Sequence, residues 1–118
     1  MRRIQEIELA GQNYTLKLNN LAIANAEKQL GKSINTILQE GMGVESMHTL
    51  LWLALKSYEP KLKLKEVYEL VENAVDEDPA KYQEIMELLL DMILGALGLG
   101  AEEAEKKPQA IKAAKAEK

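Results

Sequence analysis

The sequence predicts a mainly α protein of the α+β class, in which an N-terminal β-hairpin packs on about five helices arranged around a buried central helix. Three observations carry this. Residues 44–58 are apolar almost all the way round a helical wheel; residues 4–18 alternate apolar and polar with a period of two; and most of the remaining apolar residues up to position 97 recur with helical spacing. Nine of the fifteen residues from Val44 to Tyr58 are apolar. Val44, Met47, Leu51, Ala54, Leu55 and Tyr58 form one stripe, while Leu50, Trp52 and Leu53 point elsewhere, so cover is needed on several sides. Burying the larger of these side chains contributes on the order of 15 kcal/mol of gross hydrophobic stabilisation before chain entropy is subtracted.

The hairpin follows from Ile7 and Leu9 alternating with glutamates on one arm, and Tyr14, Leu16 and Leu18 alternating with Thr15 and Lys17 on the other. Between the arms, Ala10-Gly11-Gln12-Asn13 supplies Gly and Asn, which tolerate the left-handed backbone of a tight connection. Two strands alone are marginal, so the hairpin is expected to lie on helices. Asn19 or Asn20 caps a first helix running to about Leu30, with Gly31 after it; Ser33 caps a short second helix carrying Ile34, Ile37 and Leu38. Gly41-Met42-Gly43 then forms a flexible joint. The central helix is expected to stop near Glu59-Pro60, since proline disfavours helical geometry in the residue before it. A fourth helix, about Leu64 to Val75, places Leu64, Val67, Tyr68, Val71, Ala74 and Val75 on one side. The fifth, about Pro79 to Leu97 with Asp78 as its cap, turns Tyr82, Ile85, Met86, Leu89, Ile93, Ala96 and Leu97 inward, leaving Leu88 and Leu94 off that stripe, one to each side.

At 118 residues the chain forms one domain, residues 1–100, followed by a tail at 101–118. That tail holds nine charged residues and six alanines, with Ile111 as its one larger aliphatic side chain, and its composition predicts disorder. Absence of cysteine removes disulfides, thiolate zinc sites and cysteine nucleophiles. The amino terminus turns polar at once, unlike a secretory signal, and no apolar run reaches the ~20 residues of a membrane span, so an intracellular protein is expected. A net charge of −4 repels a phosphate backbone.

The residues that invite chemistry each have a plainer reading. His48, the one histidine, has no partner motif for acid–base or nucleophilic work and reads as structural or exposed. Asp76-Glu77-Asp78 lacks the alternating ligands of a calcium loop and reads as a solvated turn capping the fifth helix. Ser33 reads as a cap, and the glycines at 95, 98 and 100 end a helix where a phosphate cradle would begin one. Lysines at 106, 107, 112, 115 and 118 make the tail's end basic, but neighbouring glutamates and the lack of interleaved aromatics argue against nucleic acid. No catalytic, cofactor or metal residues are expected, and so no enzyme. A binding module survives this elimination: Met42, Met47, Met86 and Met92, with the off-stripe leucines, suit a surface that adapts to an apolar partner, or equally an ordinary core.

The run Ile7 to Ile34, I-E-L-A-G-Q-N-Y-T-L-K-L-N-N-L-A-I-A-N-A-E-K-Q-L-G-K-S-I, resembles the start of tail assembly chaperones of long-tailed phages and related prophage and gene-transfer-agent proteins. Leu9, Gly11, Tyr14, Thr15, Leu16, Glu27, Leu30, Gly31, Lys32 and Ser33 occupy the matching positions. The Leu-Leu-Trp-Leu-Ala-Leu-Lys helix, Pro60 and the Leu64-Lys-Glu-Val67 start continue the likeness over about residues 4–97. This resemblance implies a non-enzymatic protein of the host cytoplasm, absent from the mature virion. Its partners would be the tape measure protein, kept soluble while the tube polymerises, and tail tube subunits, recruited by a longer form made by frameshifting. Lys106-Lys107 is a candidate slippage site, and self-association stays open. The surface expected to meet the tape measure protein is Leu88, Met92 and Leu94 on the fifth helix, with Trp52 as second choice. Two other readings remain: a head–tail connector or tail component that stays in the particle, and a small nucleic-acid-binding regulator using the lysine tail.

Overall fold

A computed structural model describes residues 4–98. The expected tail at 101–118 and the candidate slippage site at Lys106-Lys107 lie outside those residues. The described chain is mainly helical with a two-stranded antiparallel hairpin: β1 (Ile4–Leu9), β2 (Gln12–Lys17), α1 (Asn20–Leu30), α2 (Ile34–Glu40), α3 (Val44–Lys56), α4 (Leu64–Glu77) and α5 (Lys81–Ala96).

The hairpin pairs Ile4 with Lys17 through Leu9 with Gln12, which leaves a two-residue turn, Ala10-Gly11. Both turn residues have positive φ, 53° and 85°, the geometry whose twist matches that of the flanking strands. The expectation that Gly and Asn share the connection is therefore corrected: Asn13 lies within β2, and Ala10 takes the left-handed position beside Gly11. Glu8 compensates locally, its carboxylate accepting the Gly11 N–H at 2.6 Å. Ile7, Leu9, Leu16 and Leu18 are buried as their alternation predicts.

Local capping then sets the helices. Asn19 accepts the Ala22 N–H at 2.9 Å to start α1, and Gly31 ends it in left-handed geometry at φ 72°. Ser33 Oγ accepts the Thr36 N–H at 3.1 Å to start α2, while the Glu27 carboxylate of α1 accepts the Ile34 N–H at 2.7 Å, so one helix caps the next. Glu66 accepts the Lys63 N–H at 2.9 Å and fixes the start of α4.

Helix α3 touches α1, β2, α4 and α5, and its residues 46–51 and 53–55 are all buried. Its buried surface differs from the expected stripe at both ends, because Val44 and Tyr58 are exposed while Leu50 and Leu53 are covered. The helix also stops at Lys56, three residues before Glu59: the N–H groups of Tyr58 and Glu59 both turn back onto the Leu55 carbonyl, ending the helix ahead of Pro60. Helix α5 begins at Lys81, later than the expected Pro79, since Asp78 first closes a turn by accepting the Ala80 N–H through its side chain and the Lys81 N–H through its carbonyl. Its inward face is Lys81, Ile85, Leu89, Met92, Ile93 and Ala96. Leu97, expected inward, is exposed.

Lys81 is the polar fastener between hairpin and helices. Its buried ammonium lies 3.1 Å from Glu84 and 3.4 Å from Glu8 of β1. Burial works against its charge, but the hydrogen bonds it donates to Glu84 and Glu8 outweigh that cost and hold Lys81 above the usual lysine range. The Gly11 N–H, then Lys81, hold Glu8 below the usual carboxylate range. The signs follow by linkage: the Glu8 contribution is present above its ordinary value of 4.5 and lost as pH falls through its lower folded value. The Lys81 contribution is present below 10.5 and lost as pH rises through its higher folded value. Urea titrations across pH should show Glu8→Gln losing part of the acid-side fall in stability and Lys81→Met losing part of the alkaline-side fall. Wild-type-like curves in both variants would mean that the fastener contributes nothing.

Candidate functional site

Helix α5 carries two apolar stripes. Besides the inward one, Met86, Leu90, Leu94 and Leu97 succeed one another at steps of four, four and three, which keeps them within about 80° on a helix turning ~100° per residue. Leu90 and Leu97 are 42% and 39% exposed, and Met86 and Leu94 are half-buried, so this flank is apolar and partly open to solvent. Across from Met86 and Leu90, the end of α2 and the glycine joint supply Ile37, Leu38, Gly41 and Met42, and between the two walls runs a groove of about 190 Å³. Gln83 and Glu87 form its polar edge. The unbranched methionines on facing walls let the groove change shape with its occupant. Chemically it offers apolar cover and a single carboxylate edge, with no nucleophile or acid–base pair among its lining residues.

The expected partner surface is revised by this arrangement. Met92 is completely buried, on the inward stripe between Leu89 and Ile93, and presents nothing to a partner. Leu88 and Leu94 are six residues apart and so about 120° apart around the helix; they sit on opposite flanks and cannot form one surface. Leu88 is half-buried against the core, whereas Leu94 belongs with Leu90 on the open flank. Trp52 is half-buried and already employed: its Nε1–H donates to the Leu62 carbonyl at 2.8 Å, and Lys56 Nζ lies 4.5 Å above its ring, tying the α3–α4 connection to α3. Leu90 is the residue that sequence reasoning missed; the i, i+4 spacing from Met86 to Leu90 to Leu94 was the available signal.

A second groove, of about 310 Å³, lies between the start of α3, the face of α4 and the start of α5. His48, expected to be structural or exposed, is buried there and stacks on Tyr68, with ring centroids 4.0 Å apart and planes 4° from parallel. Ser33 is the cap it was expected to be. The acidic run divides, Asp76 and Glu77 ending α4 while Asp78 makes the turn. No group of three or more His, Asp or Glu side chains among the described residues is placed to hold a metal ion. No helix among them is long and apolar enough to cross a membrane.

Comparison with models of known families, with curated proteins and with solved structures gives no match.

The two stripes of α5 should separate in mutants. Leu90→Asp and Leu94→Asp should change unfolding free energy by no more than about 1 kcal/mol, whereas Met92→Asp, which buries a lone carboxylate, should cost more than about 4 kcal/mol and leave little folded protein. Equal losses from Leu90→Asp and Met92→Asp in urea or thermal melts would contradict the division.

Proposed function

We propose that this chain is a tail assembly chaperone of a long-tailed phage or prophage-like element, acting in the host cytoplasm by covering apolar helical stretches of the tape measure protein until tube subunits replace it. The observation that carries this reading is the outer stripe of α5, of which Met86 and Leu90 line an open groove with Leu38 and Met42, and Leu94 and Leu97 extend the apolar flank beyond it. A helix laid along such a groove buries its own apolar face by the spacing of i, i+3 and i+4 anchors. The resemblance over residues 4–97 supplies the partner's identity, and the order of hairpin and five helices is compatible with it.

The chemistry suits transient cover. A small apolar groove with adaptable methionines and one carboxylate edge gives contacts that form without a fixed register and release readily, so many copies can decorate a long helix and be displaced one by one. Recruitment of tube subunits would fall to a longer form of the chain, made by frameshifting.

Co-expression with the tape measure protein encoded alongside is the test. The wild-type chain should keep that protein in the soluble fraction and copurify with it, and the double variant L90E/L94E, still folded by circular dichroism, should lose at least about tenfold in copurified partner. Mass spectrometry of purified particles should find no copies of the chain. A tape measure protein equally soluble without the chain, or undiminished capture by the folded double variant, would overturn the proposal. Stoichiometric copies in finished particles would replace it with a structural tail component.

A further inference from the structure

We propose that the groove between α3, α4 and α5 is a receptor for an arginine side chain of a partner polypeptide, a site separate from the α2–α5 groove and independent of the function assigned to it. His48 is the most buried polar residue of the lining. Its ring is 5% exposed and lines the groove, and its Nδ1 lies 2.7 Å from the Val44 carbonyl. A carbonyl oxygen can only accept, so Nδ1 carries a proton, and in that tautomer Nε2 is an acceptor. Among the described residues that Nε2 has no partner. A buried acceptor left unsatisfied beside an open groove points to a donor that arrives from outside.

The rest of the lining asks for the same donor and gives it a sign. Tyr68, Glu72 and Asp76 follow one another at intervals of four along α4, and all three line the groove. Both carboxylates are exposed, and among the described residues neither is engaged by a lysine, an arginine or any other hydrogen-bond donor. Glu72 and Asp76 are the charged residues of the lining, and no lysine or arginine accompanies them. An anion is thereby excluded, and an occupant that is a cation with several N–H donors is favoured.

Three features select arginine over lysine or a free small cation. Two carboxylates one helical turn apart suit a planar fork of donors better than a point charge. The half-buried rings of Tyr68, backed by His48, and of Tyr82 line the groove, and a guanidinium stacks on such a ring while its N–H groups reach the rim. Val71, Val75 and Val44, the last 59% exposed, give apolar surface for the methylene stem and for a neighbouring apolar residue of the same partner. At about 310 Å³ the groove is at the bottom of the range for small-molecule pockets, in keeping with one side chain and its neighbour.

The test uses the full chain, labelled with ¹⁵N, and the capped tripeptide Leu-Arg-Leu, with Leu-citrulline-Leu as its neutral isostere. Amide signals of Tyr68, Glu72 and Val75 should shift and saturate with the arginine peptide at millimolar concentration, and the citrulline peptide should bind at least about tenfold more weakly. The variants Glu72→Gln and Asp76→Asn, exposed and so expected to fold, should each weaken the arginine peptide about fivefold to tenfold. No shifts by about 10 mM, equal binding of the citrulline peptide, or unchanged binding in both variants would overturn the proposal. So would tighter binding of spermidine, which would make the groove a small-cation site, or concentration-dependent shifts of the same signals without peptide, which would assign it to a second copy of the chain.

Discussion

Burial of α3 on nearly every side is the constraint on which the structure depends. A helix covered on one face can be approached from one direction; a helix covered by α1, β2, α4 and α5 dictates where each of them lies. The consecutive pair Leu50 and Leu51, both fully buried, shows how this works: they point about 100° apart, so cover must come from two elements at once. Removing either side would cost the transfer energy of several leucines, each about 1.5–3 kcal/mol. The hairpin is held in the same way, by its apolar face and by the bond from Ser57 to the Lys17 carbonyl at 3.3 Å.

With the core satisfied by one stripe of α5, the helix has apolar residues to spare. Leu90 and Leu97 stay exposed beside the half-buried Met86 and Leu94, which makes this flank an apolar patch that the core does not use up. The groove that Met86 and Leu90 border is closed on its other side by α2 and the Gly41-Met42-Gly43 joint.

Much of this architecture was legible because it is local. The period-2 hairpin, the caps at Asn19 and Ser33 and the Gly31 terminus each follow from residues within one turn of one another, and all stand where the sequence places them. What was not legible is non-local. The inward residues Ile85, Leu89, Ile93 and Ala96 of α5 were legible from their stripe; that Lys81 and Met92 join them was not, and Lys81 does so by reaching Glu8, 73 residues away. Trp52 looked available because the carbonyl that occupies its indole belongs to Leu62, beyond a proline turn. The second groove was invisible for the same reason, since His48 reads as an isolated histidine until α4 brings Tyr68, Glu72 and Asp76 beside it.

The central claim is that a closed core around α3 leaves one flank of α5 uncovered, and the four described methionines divide between the two. Met47 and Met92 are fully buried, and Met42 and Met86 line the open groove. Peroxide oxidation of the native protein, followed by peptide mass spectrometry, reads all four at once. Met42 and Met86 should form sulfoxide at least about tenfold faster than Met47 and Met92. Comparable rates at all four, or faster oxidation of Met92 than of Met86, would contradict the account.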